Sequence, residues 1–416
     1  PVMGSVQWGT NGLYPAPPVI TTSTDISAYT SDQLRTLSAK QITALTTAQV
    51  RSISTDAIPG LTSRQIQALA TRGVAALSTT QIQGLSVSQL NALDRRQVAV
   101  LTSDHINALT TDQIAGLRPG QIAALDTAEI GAITTEQLSH LSSSQIQVLT
   151  GSQVRELTTA QVASLSTSQV ASLKAQQIKS METADVRSLL TSQIAAMSRT
   201  QVAALTYAQV AALETGQVTA IETNDLSAMT TAQIRAFTSS QVTSLTTDQV
   251  ASLTAKQIAA LGTDLSVLST EQMRALTPSQ LVGLTSAQVA ALSSDQIEAL
   301  DTTQFSSLTS KQIASLETAD VASLTTAKIV ALTTAQTASL TTAQIRALST
   351  DQLVAIEEED VASLKRAQLE AFTNSQLQAL TNAQIDGLRK AQLSGLSTET
   401  VAALSTAQIA ALTSGR

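Results

Sequence analysis

The chain has 416 residues, no cysteine, two histidines and only seven aromatic side chains, with 24 basic against 31 acidic residues. The lack of cysteine excludes a disulfide scaffold, a thiolate zinc site and a cysteine nucleophile, and so few rings cannot seed the several conventional cores expected at this length. A net charge of −7 with dispersed basic residues argues against nucleic acid as a partner. No apolar run approaches the ~20 residues of a membrane helix, so no membrane span is expected, and the first residues show no signal-peptide pattern.

Residues 1–21 form a head, PVMGSVQWGTNGLYPAPPVIT, in which Pro15, Pro17 and Pro18 predict turns and an extended, polyproline-like stretch. It is either a flexible leader or a docking segment. In the second case Trp8, Leu13, Tyr14, Val19 and Ile20 are its candidates for burial against an end of the array or against another subunit.

From residue 22 the chain repeats every eight residues: TTAQVASL at 158–165, STSQVASL at 166–173, TTAQIRAL at 341–348. Thirty octads cover 22–261, a seven-residue unit GTDLSVL covers 262–268, eighteen octads cover 269–412, and 413–416 is a tail. Position 1 is Ser, Thr or Asp in 37 of the 48 octads and position 4 is Gln in 37, so the two together need a structural reason. One continuous helix is excluded, because eight residues overshoot two turns by about 80° and would wind the apolar stripe around the axis. Strands are excluded too, because apolar positions 5 and 8 would point to opposite faces.

The pattern predicts a short helix started afresh in each octad. Ser or Thr is the N-cap and Gln, three residues on, completes a capping box; the preceding Leu and the position-5 Ile or Val form the hydrophobic staple. Pro119 and Pro278 fall at the first helical position, where proline is best tolerated. Helices this short cannot persist alone, so the expected fold class is all-α: a solenoid of short capped helices, one per eight-residue repeat, stabilised by nearest neighbours. The repeat leaves the number of units per turn open; two per turn, with helices ~8–10 Å apart, would make a rod on the order of 200 Å. Three weak joints are expected: residues 54–61 with Pro59 in mid-helix and no position-4 Gln, Thr337 in an apolar slot, and the short unit 262–268.

Sites for chemistry are few. His105 takes a Gln slot and His140 a position-7 slot, too far apart in sequence for a metal pair, so His105 reads as a cap substitute. No Ser/His/Asp arrangement, phosphate loop or zinc-helix motif stands out, and no enzyme or resident cofactor is expected. Four octads carry Glu-x-x-Asp in place of Thr-x-x-Gln: Glu182/Asp185, Glu222/Asp225, Glu317/Asp320 and Glu357/Asp360. Paired carboxylates make calcium the candidate ion there; the simpler reading is acidic residues complementing a helix N-terminus. Ice binding is disfavoured, since Thr and Ser exchange freely at position 1, as capping allows and a methyl array does not. At the far end, 405–412 (STAQIAAL) is a near-consensus unit with Ile409 and Leu412 in the core slots. Such a terminal face, together with the head, predicts end-to-end self-association through unlike surfaces, which builds filaments.

The run LTTAQIRALSTDQLVAI and its TTAQVAAL-like companions across 22–412 resemble the octad arrays of large secreted or surface proteins of Gram-negative bacteria, adhesin-like in type. That resemblance implies a structural extracellular rod or filament, as a surface stalk, fibre or matrix component. A calcium-dependent surface adhesin using the Glu-x-x-Asp units is the alternative.

Overall fold

The structure is a computed structural model that describes residues 19–388, 392, 394 and 396–414. Among these, helices of four to six residues follow one another, one to an octad, and no strand is present. In Ala39–Ala44 the hydroxyl of Ser38 accepts from the Gln41 N–H (3.3 Å) and the Gln41 Oε1 accepts from the Ser38 N–H (2.9 Å), the two halves of the expected box. The helix then stops without a left-handed residue. Leu45 (φ −56°, ψ 135°) and the next cap, Thr46 (φ −74°, ψ 160°), are both extended. Six helical residues and two extended ones thus make the eight. Both prolines expected at the first helical position lie there, opening Pro119–Ile122 and Pro278–Val282.

Two compact units divide the chain, Pro1–Ala204 and Leu205–Arg416, and each follows the same stacking rule. Helices pack on those three octads away: Ser103–Ala108 on Thr127–Ala132 in the first unit, Thr318–Ser323 on Thr342–Ala347 in the second. Positions 5 and 8 fill the interior between turns, as with Val162 and Leu165, both buried. Burying two aliphatic side chains per octad at ~1.5–3 kcal/mol each gives every short helix support it cannot draw from its own hydrogen bonds. The turn therefore closes beyond three octads, not at two.

Departures from one helix per octad have local causes. Residues 22–29 hold no helix: Asp25, in the Gln slot, accepts instead from the Ser27 N–H (2.9 Å), a local turn that competes with helix formation. In 54–61 the expected mid-helix proline is avoided, because the unit shrinks to a 3-10 turn, Ile58–Gly60, with Pro59 in its first turn. Gly60 is required there, since a Cβ would lie 2.5 Å from the Ser31 Cα. The seven-residue unit loses its cap residue and keeps its core pair, Leu265 and Leu268, both buried. Gly262, at φ 62°, makes the turn that an extended cap makes elsewhere. The last helix, Thr406–Ser414, runs past Leu412, so the tail expected at 413–416 is helical through Ser414. Thr413 has Arg416 three residues on, where most octads have Gln.

Candidate functional site: a glutamine ladder

From Gln49 on, the described position-4 glutamines except Gln392 are buried, which a capping role alone does not require. Their amides are used twice. In Gln161 the Oε1 accepts from the Thr158 N–H (2.7 Å), while Nε2 donates to the carbonyls of Ile130 (3.2 Å) and Ile133 (2.6 Å). In the second unit Gln344 accepts from the Thr341 N–H (2.8 Å) and donates to Ile313 (2.9 Å) and Leu316 (2.8 Å). The accepting carbonyls belong to positions 5 and 8 of the octad four units back, 31 and 28 residues away. They lie where a helix ends and the usual intrahelical donors run out, the position-5 carbonyl keeping only the position-8 N–H, as Ile130 keeps that of Ile133 (3.2 Å). One side chain therefore caps the start of its own helix and the end of another, and the repetition of this bond forms a ladder up the coil. Only the capping half was legible beforehand. Burial of a polar position 4 was the one available hint, and sequence alone does not show burial.

What else occupies the slot shows which half each residue can perform. In His105, Nδ1 accepts from the Thr102 N–H (3.2 Å) and Nε2 meets the Leu77 carbonyl (2.8 Å). An N–H can only donate and a carbonyl only accept, so the proton sits on Nε2 and the ring reproduces the amide. His105 is thus a buried cap substitute, as expected. Lys328 supplies only the donor, from Nζ to the carbonyls of Ile297 (3.1 Å) and Glu298 (2.6 Å), and burial holds its pKa below the ordinary lysine value. Carboxylates supply only the acceptor. Burial first, then the Glu182 charge, raises the Asp185 carboxyl above its ordinary value, against the lowering by the Glu182 N–H.

Two of the four Glu-x-x-Asp units show the acceptor half of a cap. Asp185 accepts from the Glu182 N–H (3.1 Å) and Asp320 from the Glu317 N–H (3.3 Å) and the Ser294 hydroxyl (2.7 Å). Asp185, Asp320 and Asp360 are buried and Asp225 is half-buried, while Glu182, Glu222, Glu317 and Glu357 are exposed and make no cap bond of their own. Glu317 and Glu357 stand five octads apart in a coil whose packed neighbours are three octads away, so they are not brought together. Among the described residues no three His, Asp or Glu side chains converge on a point where a metal ion could sit.

Of the assembly candidates, Trp8, Leu13 and Tyr14 lie outside the described residues. Val19 is 85% exposed and Ile20 half-buried; Ile409 is 40% exposed and Leu412 half-buried, in slots that are buried in the interior of the array, as at Ile297 and Leu300. Among the described residues no helix is long and apolar enough to cross a membrane.

Octad repetition, one capped helix per octad and a ladder between turns define an all-helical repeat solenoid. The chain belongs to the ALTTAQ repeat family, which matches residues 42–71, 114–159, 178–215, 218–255 and 265–350 in partly overlapping stretches, together more than half of the chain. No curated protein matches it.

Proposed function

We propose that this chain is a structural repeat protein of the bacterial cell exterior, a rod- or filament-forming subunit serving as stalk, fibre or matrix component, with no catalytic role. The observation that carries this reading is the ladder itself. The most regular polar groups of the sequence, the position-1 hydroxyls and position-4 amides, are engaged in starting each helix and in holding helices to one another. What remains for solvent is a surface of small, variable residues at positions 2, 3 and 6, suited to length and multiplicity rather than to a pocket.

End-to-end association is part of the proposal. Val401 and Ile409 occupy position 5 in the last octads and are exposed, whereas Val289 and Ile297 in the same slot are fully buried. A further run of octads, from the same chain or from a second copy, would cover them by the rule that operates inside the array. The proposed counterpart is the head, with Val19 exposed at its edge.

Electron micrographs of purified protein, with light scattering of the full chain and of a variant lacking residues 1–21, test both parts. Rods or fibres whose scattering mass grows with concentration, and shrinks when the head is removed, are expected. Compact particles that stay monomeric in both samples above micromolar concentration would overturn the filament. Adding calcium chloride is expected to leave the scattering unchanged; calcium-driven association would instead favour an adhesin using the acidic units.

A further inference from the structure

Glu129 occupies the glutamine slot of the octad 126–133, is buried, and has the length of the residue it replaces. Its Oε2 accepts from the Asp126 N–H (3.1 Å), the local half of the amide's work. The other half is set by the rungs on either side. Gln121 donates to the carbonyls of Leu90 and Leu93, and Gln137 to those of Ile106 and Leu109. The same offsets place the carbonyls of Val98 and Leu101 at the Glu129 rung. An ionised carboxylate has no proton for them.

We propose that Glu129 is a proton-operated latch in the ladder. Protonated, its carboxyl is uncharged and has one proton for the seam where the amide has two, and Thr127–Ala132 stays seated against the turn that ends in Val98 and Leu101. Ionised, it sets a second negative charge beside Asp126 and faces two carbonyl oxygens, and the seam loosens at this one rung.

The electrostatics agree with the geometry. Burial first, then the hydrogen bond and charge of Asp126, push the Glu129 carboxyl up to about 7. Asp126 is held below its ordinary value, first by its bond to Glu129 and by the Glu129 N–H, so Asp126 keeps the charge and Glu129 the proton. The helices packed against Thr127–Ala132 carry Asp104 and His105 on one side and Arg155, followed by Glu156, on the other. The rung's own carbonyls come from the helix with Asp94, Arg95 and Arg96, and the flanking octads bring Arg118 and Glu136. The charge that raises Glu129 is that of Asp126. A carboxyl raised on folding contributes its stability in full below the unfolded value near 4.5 and loses it as pH rises through about 7.

The test is hydrogen exchange by mass spectrometry on the whole chain, wild type and Glu129→Gln, at about pH 5.5 and about pH 8.5, corrected for the intrinsic exchange rate. In the wild type, exchange in residues 94–101 and 126–133 is expected to rise on the order of tenfold at the higher pH, while distant octads are unchanged. Glu129→Gln restores the commonest residue of the slot and should fold, with that local rise abolished. Carbon-13 NMR of labelled glutamate carboxyls should find one group titrating near neutrality in the wild type and missing in the variant. An equal pH response in both proteins, no response in the wild type, or a Glu129 carboxyl titrating with the other glutamates would each overturn the proposal.

Discussion

Replacing Gln241 by glutamate keeps the side-chain length and the acceptor for the Thr238 N–H, but removes the protons given to the Val210 and Leu213 carbonyls. The expected loss at neutral pH is ~1–3 kcal/mol, from the Leu213 carbonyl losing its amide donor, the Val210 carbonyl keeping only the Leu213 N–H (3.2 Å), and a charge facing both. Thr238→Ala removes only one cap acceptor and should cost ~0.5–2 kcal/mol. Chemical denaturation of the two variants ranks the two halves of the amide; a costlier Thr238→Ala would make the ladder secondary to capping. Asp185→Asn runs the other way. With the Asp185 carboxyl raised on folding, its contribution is complete in acid and lost as pH rises, so the amide should stabilise at neutral pH and the gain should vanish toward low pH. Equal gains at both pH values would show that the carboxyl's ionisation does not matter. Thr337 is fully buried in an apolar slot and its hydroxyl has no partner. Thr337→Val, which keeps the shape and removes the hydroxyl, should raise stability by about 1–2 kcal/mol in the same assay.

At the scale of the element, no helix of five or six residues can stand without its neighbours. Substituting the caps Thr238, Thr246 and Thr254 together by alanine removes the side-chain acceptor from three successive helices. Hydrogen exchange should show that stretch deprotected and octads several turns away intact; a neutral result would assign the hydroxyls another role. The same measurement bears on the three irregular places. Residues 54–61 and 262–268 hold 3-10 turns in place of α-helices, and Thr337 leaves a buried hydroxyl unpaired. Each should be less protected than its neighbours, and uniform protection along the array would contradict this register. Single defects are nonetheless tolerated: the octad 70–77 has neither a capping side chain nor a Gln, yet forms the helix Thr71–Ala75, because its core residues Val74 and Leu77 are buried.

Within each compact unit, helices pack on those three octads away and the glutamine rungs reach four octads back. Removing one entire octad should therefore shift each rung onto an equivalent partner. The chain already absorbs a shorter unit: beyond 262–268, Gln272 and Gln280 reach carbonyls 30 and 27 residues back rather than 31 and 28. Deletion of residues 158–165 is expected to keep the helical circular dichroism and shift the melting temperature by no more than a few degrees. Deletion of the four residues 161–164 should abolish cooperative melting, since it places caps where core residues belong. Similar melting of both deletions would reject a register-dependent ladder.

Everything that depends on residues three or four apart was legible in the sequence: the octad, the cap at position 1, the box with position 4, and the apolar pair at 5 and 8. Capping and staple bonds close within one helical turn, so their partners sit in the same short string of letters. The partner of Gln161 Nε2, by contrast, lies 28 and 31 residues away, and nothing in TTAQVASL specifies that distance. It follows from the angle at which the two extended residues of each octad redirect the chain, accumulated over several octads until a helix end meets a buried amide. Only in that tertiary setting does the slot acquire its second requirement, a donor. That requirement is why His105 fits it, Lys328 meets half of it, and Glu129 needs a proton.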